Sequence, residues 1–480
     1  MVKSSRNNPL KDMVDALKQI YNACDPYVPA TSEYYYDCEE ARGSSGLALE
    51  FQNHLRLAKD YIYFLFSGHI GCGKSSELKH LERSLIHAPA GRECYFPIML
   101  NVSEYLDDYD ATPTDILLAI VTELAETLRE KLGVELKDNY FVKRLDEIKQ
   151  FFLSDVEINE GELALGFAKA KIQRLKKDPT ARQKVRAVLE PKMSAMLDEI
   201  NTIFDEARLA VKRAKAADGE RTCADIVLIL DNLEKIRKIA GMDEGLASQR
   251  ELFLERYTQL TAMKAHFIYT VPLRLVRSPD GPQLEQRYGP LFVLPMIKVI
   301  ERGTRQPYQS GMDSLRALLE KRLGGLKLEE VFEPDALNFL LTYCGGHVRN
   351  LMSFVQNACT YVNSLPIPLI AAQKAIQQTV RAYSTAIPEG HWEKLARLDI
   401  SADQKIPNGD NDYLVMLENL SVLEYINGGG DDPFALAEPW YAVNPIVREL
   451  QRFKAAAQAI KTEKQSSDQL PLPIADEASS

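Results

Sequence analysis

The sequence predicts an α/β fold built around a parallel sheet, and three observations lead there. An apolar run, Tyr61-Ile62-Tyr63-Phe64-Leu65-Phe66, leads directly into Gly68-His69-Ile70-Gly71-Cys72-Gly73-Lys74-Ser75, which matches the strand, GxxxxGK[ST], helix pattern at every fixed position. A second apolar run, Ile226-Val227-Leu228-Ile229-Leu230, ends in Asp231-Asn232-Leu233-Glu234, as a strand buried on both faces with a carboxylate at its end would. Candidate strands alternate with helical segments along this part of the chain, the order that a parallel sheet covered on both faces requires.

The candidate strands are 61–66, 94–102, 226–230, 266–271 and 291–295. After the first, Glu77 to Leu85 carries leucines at helical spacing. Thr112-Pro113-Thr114-Asp115 marks a helix start: a capping hydroxyl, proline in the first turn and an acid at the third position. Ile116, Ile120, Leu124 and Leu128 then follow along one face, and Gly133 is placed to close the helix. Between the second strand and Asp231 more than a hundred residues intervene. In that stretch Leu189, Met193, Met196, Ile200, Ile203, Phe204, Ala207 and Val211 recur at threes and fours, which predicts a helical hairpin or arm.

The loop from Gly68 through Ser76 is read as the phosphate site. Glycines at 68, 71 and 73 let the backbone curl so that its N–H groups face an anion, and the following helix directs its positive end at the same point. Lys74 would bridge β- and γ-phosphates, while Ser75 and Asp231 would hold Mg²⁺. Glu234 is a candidate general base for hydrolysis or, alternatively, a residue that orients the loop. No guanine-binding NKxD-like box follows the core strands, so ATP is the nucleotide expected. Cys72 is either a reactive thiol in the loop or a small filler there.

Composition is ordinary for a globular protein: 480 residues, 45% hydrophobic, 26% charged, net charge −10 and pI near 5.4. The first residues have no apolar core behind them and no run approaches a membrane span, so a cytoplasmic protein is expected. Seven scattered cysteines without CxxC pairs suggest reduced thiols rather than disulfides or zinc. Against the acidic whole, Lys169–Lys192 carries nine Lys or Arg and two acids, a stripe that could meet nucleic acid, an acidic partner or only solvent.

The order of these parts resembles the AAA+ superfamily of P-loop ATPases, and within it the origin-recognition and STAND-like ATPases, over about residues 30 to 455. The resemblance implies a box near the adenine, at Cys38-Glu39-Glu40-Ala41-Arg42-Gly43, and a sensor-1 polar residue, Thr270. It also implies a sensor-2 arginine in a helical lid, Arg349 of Gly345-Gly346-His347-Val348-Arg349. An arginine finger would come from a neighbouring subunit of a homo-oligomer, with Arg274, Arg277 and Arg287 as candidates. The segment 411–450 reads as helix, strand, Gly-rich wing, strand, helix, similar to the winged-helix domain of both groups. Ile406–Val447 holds seven acids and no Lys or Arg, which disfavours a phosphate backbone as its partner.

The expected division is therefore an N-terminal segment 1–45, an ATPase core 46–300 with an insertion at about 135–220, a lid 301–384, a winged-helix-like domain 385–455 and a disordered tail 456–480. Two functions fit: an ATPase switch or assembly platform acting through protein partners, and a DNA-associated motor using the basic insertion. Bacterial defence is a setting that the resemblance implies for the first.

Overall fold

A computed structural model describes residues 9–44, 46–88, 92–133, 173, 175–213, 222–237, 245–427 and 438–468. Five parallel strands form the central sheet: β1 (Tyr63–Gly68), β2 (Cys94–Asn101), β3 (Cys223–Asp231), β4 (His266–Thr270) and β5 (Leu291–Leu294), in the spatial order β2-β3-β4-β1-β5. All five coincide with the expected runs to within three residues.

The strands are apolar on both faces because both faces are covered. Leu65, Leu228, Leu230, Phe267 and Tyr269 join one core with the helices Pro113–Leu132 and Met193–Arg213. Phe64, Phe66, Val227, Ile229 and Ile268, the alternate residues, join another with the helices Leu47–Leu57 and Lys74–Ile86. The period-two split of side chains along each strand is what divides a continuous apolar run between two cores.

The helix Pro113–Leu132 begins as its sequence dictates. The Asp115 carboxylate accepts from the Thr112 amide at 2.8 Å and from its hydroxyl at 2.9 Å, and Gly133 takes φ 63° beyond the last turn.

The expected helical hairpin or arm lies partly outside the described residues, and its described part is helical. Helices Pro179–Leu189 and Met193–Arg213 do form, but Met196, Ile200, Phe204, Ala207 and Val211 are buried against the sheet, with Phe204 meeting Phe267 edge-on at 6.0 Å. A helix with so wide an apolar face covers a sheet in preference to projecting into water. Cations of the expected basic stripe are engaged inside the chain as well. Arg182 pairs with Asp110 at 2.6 Å, Arg186 with Asp110 at 2.7 Å and Asp115 at 2.6 Å, and Lys176 donates to the Ser103 carbonyl. Lys169, Lys171 and Arg174 of that stripe lie outside the described residues.

A third core holds the helices after β5 and the C-terminal part, from Leu315 and Leu319 through Phe354 and Trp392 to Val447 and Ile460. Helix Asn411–Glu418 leads into an antiparallel pair, β6 (Val422–Ile426) and β7 (Pro439–Val443), followed by a short helix Pro445–Arg448. The Gly428–Asp432 turn expected as a wing lies outside the described residues. The tail expected to be disordered from 456 is corrected: Gln451–Asp468 is one helix, whose Phe453 and Ile460 are buried. Two apolar residues seven apart return to the same face after two turns, and that anchors an otherwise polar helix. Among the described residues no helix is long and apolar enough to cross a membrane.

Candidate nucleotide site

The site lies at the C-terminal ends of the strands, where open α/β sheets present their loops. Gly71 and Gly73 adopt φ 85° and 114° in the turn between β1 and the helix Lys74–Ile86. A Cβ on Gly71 would come within 2.7 Å of the His347 Nε2, so only glycine serves there.

Lys74 is buried, and its ammonium donates to the Gly68 carbonyl at 3.0 Å and the His69 carbonyl at 3.1 Å, with Glu234 Oε1 at 3.1 Å. Burial works against the ammonium, but Glu234 together with Cys72 and Asp231 outweighs it and holds the Lys74 pKa above its ordinary value. Burial likewise works against the Glu234 carboxylate, and Lys74 outweighs it, holding that pKa low. The second oxygen of Glu234 is buried without a hydrogen-bond partner. Asp231 is pushed up, first by burial and then by the neighbouring Glu234 charge, and Ser75 donates to it.

Thr270 stands on β4, between the strand of the loop and the strand of Asp231. It is not a cavity-facing group. Its hydroxyl donates to the Leu230 carbonyl at 3.0 Å, accepts from the Leu233 amide at 2.9 Å and supports the Glu234 carboxylate, so it holds the turn that aims Glu234. Asn232, at φ 67°, donates to Asn101 Oδ1 at 2.8 Å across the ends of β3 and β2.

Lys74, Asp231, Asn232 and Glu234 open onto a cavity of about 530 Å³. Lys74, Ser75, Ser76, Asp231 and Glu234 form its polar end, and Val28, Pro29, Val348 and Met352 contribute apolar wall elsewhere. Arg349 lines it too. The Arg349 guanidinium donates to the Pro26 carbonyl at 3.3 Å and lies over the Tyr27 ring at 5.7 Å, while its amide donates to the Gly71 carbonyl at 3.1 Å.

The adenine box expected at Cys38–Gly43 is not a cavity wall. Arg42, on the short helix Glu39–Arg42, donates to the carbonyls of Cys72 (2.9 Å) and Pro295, bracing the outside of the phosphate loop. The wall comes instead from Asp25–Ala30, tied down by the Ala30 amide donating to Ser76 Oγ at 3.0 Å. The one signal for it in the sequence is Tyr27-Val28-Pro29, an apolar pair before a proline outside any periodic element.

The loop also meets the C-terminal part directly. Buried His69 contacts the Leu417 carbonyl through Nδ1 at 3.0 Å and accepts from the Glu424 amide at Nε2, 2.9 Å away. The Glu424 carboxylate, almost fully buried, takes a two-pronged bond from Arg277 at 2.6 and 2.7 Å. On the side of the helices after β5, His347 Nε2 lies 2.7 Å from the Ile70 carbonyl.

All three arginine-finger candidates are held within the chain. Arg277 pairs with Glu424, Arg274 bonds Asn411 at 2.7 Å with Glu418 at 3.5 Å, and Arg287 donates to the Leu254 carbonyl. Lys394 likewise pairs with Asp410 and Asp412, and Lys405 with Glu438, so five of the seven acids counted between 406 and 447 face cations of this chain. Cys72 is fully buried, the filler and not the reactive thiol, and every cysteine is free and buried.

Burial lowers the pKa of His69 and of His347 to about 4. Around His69, Glu424 raises it while Lys74 and Arg277 lower it. A base depressed in the folded state binds its proton more readily when unfolded, so stability is complete above pH 6.5 and falls as pH drops from 6.5 toward 4. Each histidine contributes up to about 1.4 kcal/mol per pH unit in that window. Denaturant melts of His69→Gln against the parent should show the shallower pH dependence in the variant, and equal slopes would remove His69 from the contact.

No protein-family model matches the chain, and no curated protein matches it. Among solved structures, it is similar to the Orc1 protein of Aeropyrum pernix in complex with DNA, at 11% identity and a TM-score of 0.34 over 88% of this chain and 92% of that one. A parallel five-stranded sheet, a glycine loop curled before a helix and a carboxylate-ended strand one strand away make the core an α/β, P-loop NTPase-like unit.

Proposed function

We propose that this chain binds and hydrolyses ATP and works as a switch or assembly platform of the AAA+ kind, passing the state of its nucleotide to a protein partner. The observation that carries the reading is the buried Lys74–Glu234 pair beside Asp231 at the polar end of the cavity. The volume suits a nucleotide, since small-molecule sites run from roughly 300 to 1,000 Å³.

The donor set also suits Mg²⁺. A hydroxyl from Ser75 and a carboxylate from Asp231 are hard oxygen donors, and the elevated Asp231 pKa means that a nearby cation would relieve the crowding of two carboxylates. Among the described residues no cluster of three or more His, Cys, Asp or Glu could hold a metal alone, consistent with an ion shared with phosphate oxygens. When bound, Mg²⁺ would neutralise charge on the transferring phosphoryl group.

In this chain Lys74 changes partner. An incoming phosphate competes with Glu234 for the ammonium, and Glu234, released from its ion pair, regains basicity. Its unpartnered oxygen is then the acceptor for a proton from the attacking water. The helix Asn411–Glu418 and the β6–β7 pair, read as a winged-helix-like domain, would register the loop through His69 and Glu424 and change orientation with it.

Glu234→Gln keeps the shape of the side chain and removes its ability to take the proton. It should leave ATP bound by calorimetry while lowering turnover about a hundredfold or more. Turnover at the parent rate would assign the base to another residue.

A further inference from the structure

Arg322 is buried at 6% exposure, stands behind the helix Gln309–Glu320 and lines the nucleotide cavity. Its NH1 donates to the carbonyls of Tyr34 at 3.0 Å and Leu318 at 2.9 Å, and the Tyr34 ring lies 5.6 Å from the guanidinium. Among the described residues the groups that act on its charge are Cys24, Tyr34 and Cys38, none of them a carboxylate, and burial outweighs them and lowers its pKa. The other deep cation of the cavity, Lys74, has Glu234 at 3.1 Å. A guanidinium taken out of water without an anion, and with donors beyond those engaged, costs free energy unless something else supplies acceptors.

The position of Arg322 says which acceptors. It bonds the N-terminal segment that carries Tyr34 and makes no bond to the phosphate loop, whose outer carbonyl at Cys72 is taken by Arg42. Val28, Pro29, Val348 and Met352 line the same cavity among polar residues such as Asn101 and Ser103, and they give it apolar surface on which a flat ring can rest.

We propose that Arg322 is a specificity-determining residue that donates hydrogen bonds to ring-nitrogen acceptors of the bound purine base. This rests on the ATP reading above. Adenine presents N1, N3 and N7 as acceptors in its plane, and the planar fork of arginine matches such edges better than the point charge of lysine.

The test compares calorimetric affinities of the full chain and of Arg322→Lys for ATP and for inorganic tripolyphosphate. ATP should bind the variant about tenfold more weakly, the range of one bond from a charged donor, while tripolyphosphate binds both alike. Equal losses for both ligands would place Arg322 on phosphate and overturn the proposal, as would no loss for either. Should the variant not fold, the parent alone decides the matter with 1-deaza-, 3-deaza- and 7-deaza-ATP. At least one should bind about tenfold more weakly than ATP, and three unchanged affinities would overturn the assignment. A parent that binds tripolyphosphate but not ATP, or neither, would overturn the ATP reading itself.

Discussion

Lys74→Ala should abolish tight ATP binding and, with it, part of the fold's stability. The ammonium is the one side-chain cation that the loop offers to β- and γ-phosphates, a charge-assisted contact worth roughly 1.5–3 kcal/mol. Its removal also leaves Glu234 buried beside Asp231 without its ion-pair partner. Breaking a buried pair from one side costs roughly 3–5 kcal/mol. The two effects separate in the Lys74→Ala, Glu234→Gln double variant, which should regain most of the stability by denaturant melting and none of the affinity by calorimetry. Unchanged ATP affinity in Lys74→Ala would remove the site from the loop.

Arg277→Ala should be nearly as damaging, although Arg277 lies outside the cavity. It strands Glu424, whose carboxylate burial raises and Arg277 outweighs, so that its pKa sits low in the folded protein. The loss is again roughly 3–5 kcal/mol. Replacing both partners with methionine should recover most of it, because two apolar chains of similar volume leave no charge behind. The double variant tests the switch as well. With the Arg277–Glu424 pair gone, ATP should no longer alter the protease sensitivity of the C-terminal residues, a change expected in the parent. If Arg277→Ala melts like the parent, the Arg277–Glu424 contact carries no weight in holding the C-terminal part to the core.

The basis of legibility differs from element to element. The strand ending at Asp231 was readable because burial on both faces demands an unbroken apolar run, and a run of that kind has few other uses. The helix at Pro113–Leu132 was readable because its cap is local chemistry within four residues. Arg277 and Arg349, by contrast, are alike in composition terms. One is locked on Glu424, 147 residues away, and the other rests on Tyr27 across the cavity, and neither partner is written near it in the chain. The acids between 406 and 447 have partners that their own segment does not show, for the same reason: Arg274, Arg277, Lys394 and Lys405 all lie before residue 406.

By itself the sequence determined the parallel sheet, the glycine loop that leads into the helix at Lys74 and the carboxylate strand at Asp231, because glycine torsions, strand burial and helix capping are all set within a few residues. Only the tertiary structure decided that Glu234 faces Lys74, that Asp25–Ala30 walls the cavity, that Arg322 is buried there and that His69 meets Glu424. Each of these is a pairing of charge or shape between segments tens to hundreds of residues apart, and such a pairing exists only once burial has removed the water that would otherwise serve every partner equally.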